Sequence, residues 1–302
     1  LADRRVGKVR ISYSLPDLER LFVTTDRLSA FDRVVAAVPY KGQVLNELAA
    51  WWFANTADII ANHVRGIPDP NVTIGVEATP LPVEVVVRGY ITGVTSTSLW
   101  HRYSQGERTI YGYHFADGLH QHQPLEAPMI TPTTKAHAGA HDEPITCADV
   151  VRAGHVTAKV WAQVEATALA LFARGQQVAT AAGLILADTK YEFGIDPDGA
   201  LMLIDEMHTP DSSRFWVAAT YDERLQHNAD PESLDKEPIR RALIAAGYDG
   251  NGPSPDLGPT VVAETSARYI NAFERLTCRP FQPGSYPVEP RLTEALQRAG
   301  VL

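Results

Sequence analysis

The 302-residue sequence predicts an α+β fold, and three observations predict it. Strand-like runs crowd the first third, helix-like runs fill the last third, and a strand–turn–strand unit stands between them. Apolar residues make up 45% and charged residues 21%, the balance of an ordered globular chain long enough for two subdomains.

The elements follow in order. RLFVTTD (20–26) and RVVAAVPY (33–40) read as strands. VLNELAAWWFANTADII (44–60) carries Leu45, Leu48, Trp52, Ile59 and Ile60 at the spacing of a helix packed on a sheet. In LPVEVVVRGYITG (81–93), Val83, Val85 and Val87 alternate with Glu84, Val86 and Arg88, a strand with one well-buried face. From about 104 to 149 the pattern dissolves into Gly, His, Pro and Thr, and the aromatic content there predicts an ordered functional loop. A helix is expected over 155–182, with Val156, Val160, Val164, Leu171 and Val178 on one face and Gly183 as its stop. LILADTKYEFG (184–194) and ALMLIDE (200–206) form a hairpin through Asp196-Pro197-Asp198-Gly199, which suits a type I turn. Helices at 231–247 and 259–277 precede a Pro-rich tail.

Bulk properties exclude several classes. A net charge of −9 argues against a basic nucleic-acid surface but leaves room for a local cationic pocket. The two cysteines, Cys147 and Cys278, form no CxxC, so neither a disulfide framework nor a metal finger is expected. No apolar run has membrane-helix length, and LADRRVGKVR lacks the apolar core of a signal peptide. The expectation is a soluble cytoplasmic protein, monomer or homodimer, with no membrane and no nucleic-acid partner.

The hairpin carries the sharpest chemistry. If Asp196 faces Gly199, then Lys190 faces Asp205 and Glu192 faces Leu203. Lys190, Glu192 and Asp205 then share one face, with Glu192 diagonal to Asp205 at roughly 7–8 Å between Cα atoms. A one-residue slip would break that set. Two carboxylates and a lysine suit Mg²⁺ and nucleotide phosphates. The same residues also suit an exposed cross-strand ion pair.

Other candidates are weaker alone. Gly7-Lys8-Val9-Arg10 can cover phosphates or simply begin a basic strand. Arg88, followed by glycines and the hydroxyls of Thr95, Ser96, Thr97 and Ser98, can form a phosphate pocket, and Arg214 after Ser212-Ser213 offers a second guanidinium. Either arginine can equally be an ion-pair partner. His114, His120, His122, His137 and His141 are irregularly spaced without HExxH, which fits polar loop residues or substrate contacts better than zinc ligands. No GxSxG elbow occurs, and neither cysteine has the context of a nucleophile.

Eight segments, in order along nearly the whole chain, resemble the SAICAR synthetase family. They are GKVR (7–10), TDRLSAFD (25–32), PYKGQVLN (39–46), VEVVVRGYITG (83–93), TPTTKAHAGAHDE (131–143), ADTKYEFG (187–194), DEMHTPDSSRFW (205–216) and SLDKE (233–237). The resemblance implies a kinase-like antiparallel sheet covering ATP (1–90) and a larger C-terminal α+β portion (91–302). It implies an ATP-dependent ligase joining the carboxylate of carboxyaminoimidazole ribotide (CAIR) to L-aspartate, through an acyl phosphate, with Mg²⁺. By motif, Gly7, Lys8, Val9 and Arg10 would lie over ATP, Lys190 would assist its phosphates, and Glu192 and Asp205 would hold Mg²⁺. Arg88, Arg214, Ser96 and Ser98 would take the CAIR phosphate. Asp32, Lys41, Gly42, Asp211 and Ser212 would line the imidazole and ribose side, with Lys135, His141 and Asp142 bordering the nucleotide or aspartate. Lys190, Asp211 and Arg214 would serve catalysis most directly.

The sequence departs from the family pattern at Ile11-Ser12, where an acid is common after GKVR, and at Pro238, where an aromatic is usual. Two alternatives therefore stand beside the ligase. One is a paralogue that amidates another heterocyclic nucleotide carboxylate. The other is a nucleotide-binding regulator without turnover.

Overall fold

Two antiparallel sheets organise the computed structural model, which describes residues 1–31, 33–135 and 142–302. Asp32, His137 and His141 lie outside the described residues. The first sheet has five strands in the order Ala2–Val6, Arg10–Leu15, Glu19–Thr24, Val72–Val76 and Val64–Asp69. The second has seven, centred on Val83–Tyr90 and the long strand Leu184–Ile195. Pro124–Ile130 and Thr133–Thr134 pair with the former; Leu201–Ile204, Ser213–Val217 and Thr79–Pro80 pair with the latter. The division expected at residue 90 thus falls at the end of a strand belonging to the second sheet.

Alternation decides what each face of that sheet does. Val83, Val85, Val87, Tyr191 and Phe193 are fully buried in the main core. Glu84, Val86, Arg88, Asp188, Lys190 and Glu192 occupy the alternate positions and build the site. The helix Ala158–Ala181 covers the sheet with Trp161, Val164, Ala168, Leu171, Phe172, Gly175 and Ala179, mostly at steps of three and four residues. It starts three residues later than 155 because Thr157 caps it, accepting the Val160 N–H, and it stops before Gly183 at φ 67°. The helix Lys41–Asn55 begins three residues earlier than its apolar run and ends sooner, at Thr56, whose hydroxyl donates to the Trp52 carbonyl.

The described residues in and beside the long irregular stretch form short pieces. They include the helix Leu99–Ser104, the strand Pro124–Ile130 and the helix Cys147–Arg152. Ile91, Leu99, Tyr103, Ile110, Tyr111 and Phe115 give it a small core of its own. The helix expected over 231–247 shrinks to Glu237–Ala245, because Ser233 bridges Trp216 in extended conformation and Asp235 accepts the Glu237 N–H at 2.6 Å. Gly258–Thr277 matches its expected span, and the Pro-rich tail contains a further helix, Val288–Arg298. That last helix lies on the first sheet, where Leu292 and Leu296 meet Leu21 and Val72. No helix among the described residues is long and apolar enough to cross a membrane.

Candidate active site

The hairpin register is one residue away from the expected one. Glu192 faces Ile204 and Phe193 faces Leu203. Gly199, at φ 86°, extends the turn to three residues, so Asp196 pairs with Ala200 through the Asp196 N–H and Ala200 carbonyl (2.9 Å). The carboxylate set survives this slip because Asp205 lies past the strand end at φ 69°, outside the strand's alternation. Lys190 Nζ reaches Glu84 at 3.2 Å, Asp205 at 3.7 Å and Glu192. Lys135 also pairs with Glu192, and Arg10 with Asp205 and, at 3.3 Å, Glu206.

Burial opposes charge on Lys190, but Glu192, Glu84 and Asp205 outweigh it and hold the ammonium well above the usual lysine range. Burial likewise opposes charge on Glu192, where Lys190 and Lys135 win and keep the carboxyl well below its usual range. Glu84 goes the other way: burial, with Glu192 and Asp142 nearby, raises it despite Lys190. Glu206 is also raised, chiefly by burial.

Glu192 and Asp205 line a cavity of about 220 Å³ between the sheets, with Phe22, Val76, Ala78 and Ile204 as apolar walls and Arg5, Arg20 and Glu77 as further charged groups. Apolar walls beside charged groups suit a ligand with one flat apolar part and one charged part. The donor set tests the magnesium expectation. Among the described residues no group of three or more His, Cys, Asp or Glu is disposed to hold a metal alone. Two carboxylate donors suffice for Mg²⁺ when phosphate and water oxygens complete the shell, so the residues fit.

A second cavity, of about 270 Å³, is built on a row across three strands and has Lys190 in its lining. Arg88 pairs in register with Asp188, and Asp188 with Arg214, so all three side chains share one face. Arg214 binds Asp188 closely, and Arg88 Nη1 lies 3.4 Å from the same oxygen. Arg88 Nε also donates to Thr131 at 2.8 Å. Burial works against charge on Arg214, but Asp188 and Glu237 hold its guanidinium above the ordinary arginine value. Thr95, Thr97 and Ser98 supply the hydroxyl wall. Gly93 makes this possible: at φ 96°, a Cβ there would stand 2.5 Å from that of Ser98.

Ser96, expected beside Ser98, turns away and lines a neighbouring cavity with Phe31 and Tyr248. The tight turn closed by the Ser98 N–H on the Thr95 carbonyl (2.9 Å) directs it outward. Gly42 lines neither cavity. A Cβ there would sit 2.5 Å from the Thr24 carbonyl oxygen, so the glycine serves close packing at the helix start. Lys41 is fully buried, with Nζ 2.8 Å from Asp211. Asp211 and Ser212 reach the second cavity. Burial opposes charge on Asp211, but Lys236 and Lys41 keep its carboxyl well below the usual range. In the Gly7–Arg10 turn, the Gly7 N–H donates to the Arg10 carbonyl (2.9 Å), and the Thr25 N–H and hydroxyl donate to the Val9 carbonyl (2.9 and 2.7 Å). Gly7 and Lys8 stand exposed at its tip. Asp142 is exposed, its charge acting on Glu84.

Sequence reasoning passed over Lys236 and Arg240, both lining the second cavity. Lys236 precedes the helix Glu237–Ala245 and Arg240 lies one turn into it, a spacing that puts them side by side. Burial, aided by Arg240 and Lys41, brings Lys236 down to about 8 despite Asp211. The signal is present in SLDKE, whose lysine has an arginine four residues on. His122, from the irregular stretch, is buried away from both cavities between Thr92 (2.9 Å) and Asp230 (3.1 Å), and burial lowers it to about 4.

Comparison with known proteins agrees with this geometry. A sequence model described as SAICAR synthetase matches residues 4–255. Phosphoribosylaminoimidazole-succinocarboxamide synthase of Legionella pneumophila is 46% identical over 301 residues, covering 97% of this chain and 94% of that protein. The chloroplastic synthase of Arabidopsis thaliana is 44% identical over 305 residues, covering 99% of this chain and 73% of that protein. A solved SAICAR synthase from Saccharomyces cerevisiae, complexed with SAICAR, superposes with a TM-score of 0.80 at 31% identity, covering 93% of this chain and 96% of that one. With its α+β architecture and these matches along almost its full length, the chain belongs to the SAICAR synthetase family.

Proposed function

We propose that this chain is an ATP-dependent ligase of purine biosynthesis, joining the CAIR carboxylate to the amine of L-aspartate to give SAICAR, ADP and phosphate. One observation carries the reading. Lys190 lines the arginine cavity, and its ammonium also reaches two carboxylates that line the other cavity. Two phosphate-bearing ligands placed there would meet at that lysine.

A carboxylate is a poor electrophile, so the reaction runs in two steps. An oxygen of the CAIR carboxylate attacks the γ-phosphorus of ATP, the bond to the bridging oxygen breaks, and ADP leaves. The aspartate amine then attacks the acyl carbon, the carbon–oxygen bond to phosphate breaks, and the nitrogen loses a proton. Neither step needs a protein nucleophile; both need position and neutralised charge. In our assignment the five-stranded sheet covers ATP, and the Gly7–Arg10 turn lies over its phosphates. Lys190 neutralises the phosphoryl group in transit. Arg88, Arg214, Lys236 and the hydroxyls of Thr95, Thr97 and Ser98 hold the ribotide phosphate. Asp211 accepts hydrogen bonds from the ribose or imidazole side. Glu192 and Asp205 would hold Mg²⁺, which when bound offsets the negative charge of the transferring group.

The test is ADP release from purified protein with Mg·ATP, CAIR and L-aspartate, omitting each in turn. Turnover that requires all three is expected. Turnover only with another carboxylated nucleotide would establish the paralogue, and ATP binding with no turnover on any acceptor would establish the regulator.

A further inference from the structure

The family match ends at residue 255, yet a helix beyond it reaches the site. Tyr269, on Gly258–Thr277, is fully buried and donates its hydroxyl to Asp211 Oδ1 at 2.6 Å. Lys41 Nζ lies 2.8 Å from the other oxygen, Oδ2, and 6.0 Å from the centre of the Tyr269 ring. Asp211 lines the arginine cavity, while Lys41 and Tyr269 stand behind it. The carboxylate is therefore gripped from two sides by groups that do not face the ligand space. Each oxygen keeps a lone pair for a donor arriving from the cavity.

We infer that Tyr269 is a positioning residue for the ribotide, fixing Asp211 together with Lys41 so that the carboxylate presents free lone pairs to the ligand's hydroxyl or N–H groups. The inference rests on the ligase reading and adds a residue from the C-terminal segment to it. The phenol suits this task. Burial, and then Asp211 itself, hold it neutral and well above the usual tyrosine range, so it donates at every working pH. The other charges facing Asp211 are Lys236 and Glu206, neither of which replaces that hydrogen bond. Without Tyr269, one oxygen loses its fixed partner and the carboxylate is free to swing about Lys41.

Tyr269→Phe removes one oxygen and keeps the ring. The expected result is a KM for CAIR raised about tenfold, the scale of one hydrogen bond to a charged group, with KM for ATP within twofold and kcat within threefold. Phe273→Leu, on the same helix but in the core, supplies the structural control: a lower Tm with unchanged KM for CAIR. In a double-mutant cycle, Tyr269→Phe added to Asp211→Asn should change KM no further, because the tyrosine acts through that carboxylate. Unchanged KM for CAIR in Tyr269→Phe, or full additivity with Asp211→Asn, would overturn the inference while leaving the ligase intact. Failure of the wild-type protein to turn over CAIR would instead overturn the functional reading, and the inference with it.

Discussion

At the hairpin end of the site Glu84, Glu192, Asp205 and Glu206 face Lys135, Lys190 and Arg10, whereas at the arginine end Arg88 and Arg214 share the carboxylate of Asp188. The first set leans acidic and is partly open, its Glu192 and Asp205 side chains 16% and 27% exposed. The second leans basic and is closed, with all three side chains 11% exposed or less. An acidic excess is completed by an incoming cation, and a basic excess by an incoming anion. Under the proposed function, the difference assigns a metal with its nucleotide to one end and a phosphate monoester to the other. It also separates what can rearrange from what is built in advance. Lysines on flexible stems can pass from carboxylate to phosphate, while guanidiniums locked in a cross-strand row cannot move far.

The comparison breaks most visibly at Asp205. Asp205→Asn should reduce turnover about 10³-fold, as loss of a group that stabilises transition-state charge does, while Tm holds because the acidic excess is relieved. Equal loss of turnover and of Tm would mean that the cluster is structural. At the other end, Arg88→Met should raise KM for CAIR about 10²-fold, on the order of 3 kcal/mol, with kcat little changed. Arg214→Met should do the same and also cost about 3–5 kcal/mol of stability by denaturant titration, since Asp188 loses its closest partner in the buried row.

Lys236 sharpens the comparison through pH. Its pKa is lowered to about 8, so the cation is present below pH 8 and lost above it. The kcat/KM for CAIR should therefore fall as pH rises through about 8, approaching tenfold per unit, and Lys236→Arg should remove that limb. A limb that stays in the arginine variant would assign it to another group. The smallest effect is expected at the turn. Gly199→Ala meets no neighbour but must hold φ 86°, which costs about 1–2 kcal/mol in stability and leaves both KM values unchanged.

That turn also shows where the sequence was legible and where it was not. Alternation in VEVVVRGY and LILADTKYEFG separated the buried faces from the polar ones, because period two is a property of the strand itself, whereas on the second hairpin strand the slip puts Ile204 instead of Leu203 beside Glu192. Register depends on one dihedral, that of Gly199, and a glycine hides its conformation from sequence reading. Lys190, Glu192 and Asp205 converge all the same, since the positive φ of Asp205 offsets the slip. Arg88 and Arg214 could each be named as phosphate ligands, but their meeting around Asp188 required knowing that three strands lie side by side. Ser96 and Ser98 look alike in a run of hydroxyls, and only the turn between them separates inward from outward. The helix Val288–Arg298 was masked by its neighbourhood, with Pro287 before it and Pro290 in its first turn.

That helix ties the C-terminal third to the first sheet. Arg291 donates to both oxygens of the buried Asp69 at 2.8 and 2.7 Å, across 222 residues, and to Asn71 at 2.8 Å, across 220. During synthesis the first sheet emerges early, but its Asp69 waits for that partner for roughly 10–45 s at ordinary elongation rates. The five-stranded sheet should therefore reach full protease resistance only after Val288–Arg298 leaves the ribosome, so a stop placed just before that helix would damage a sheet made well before it.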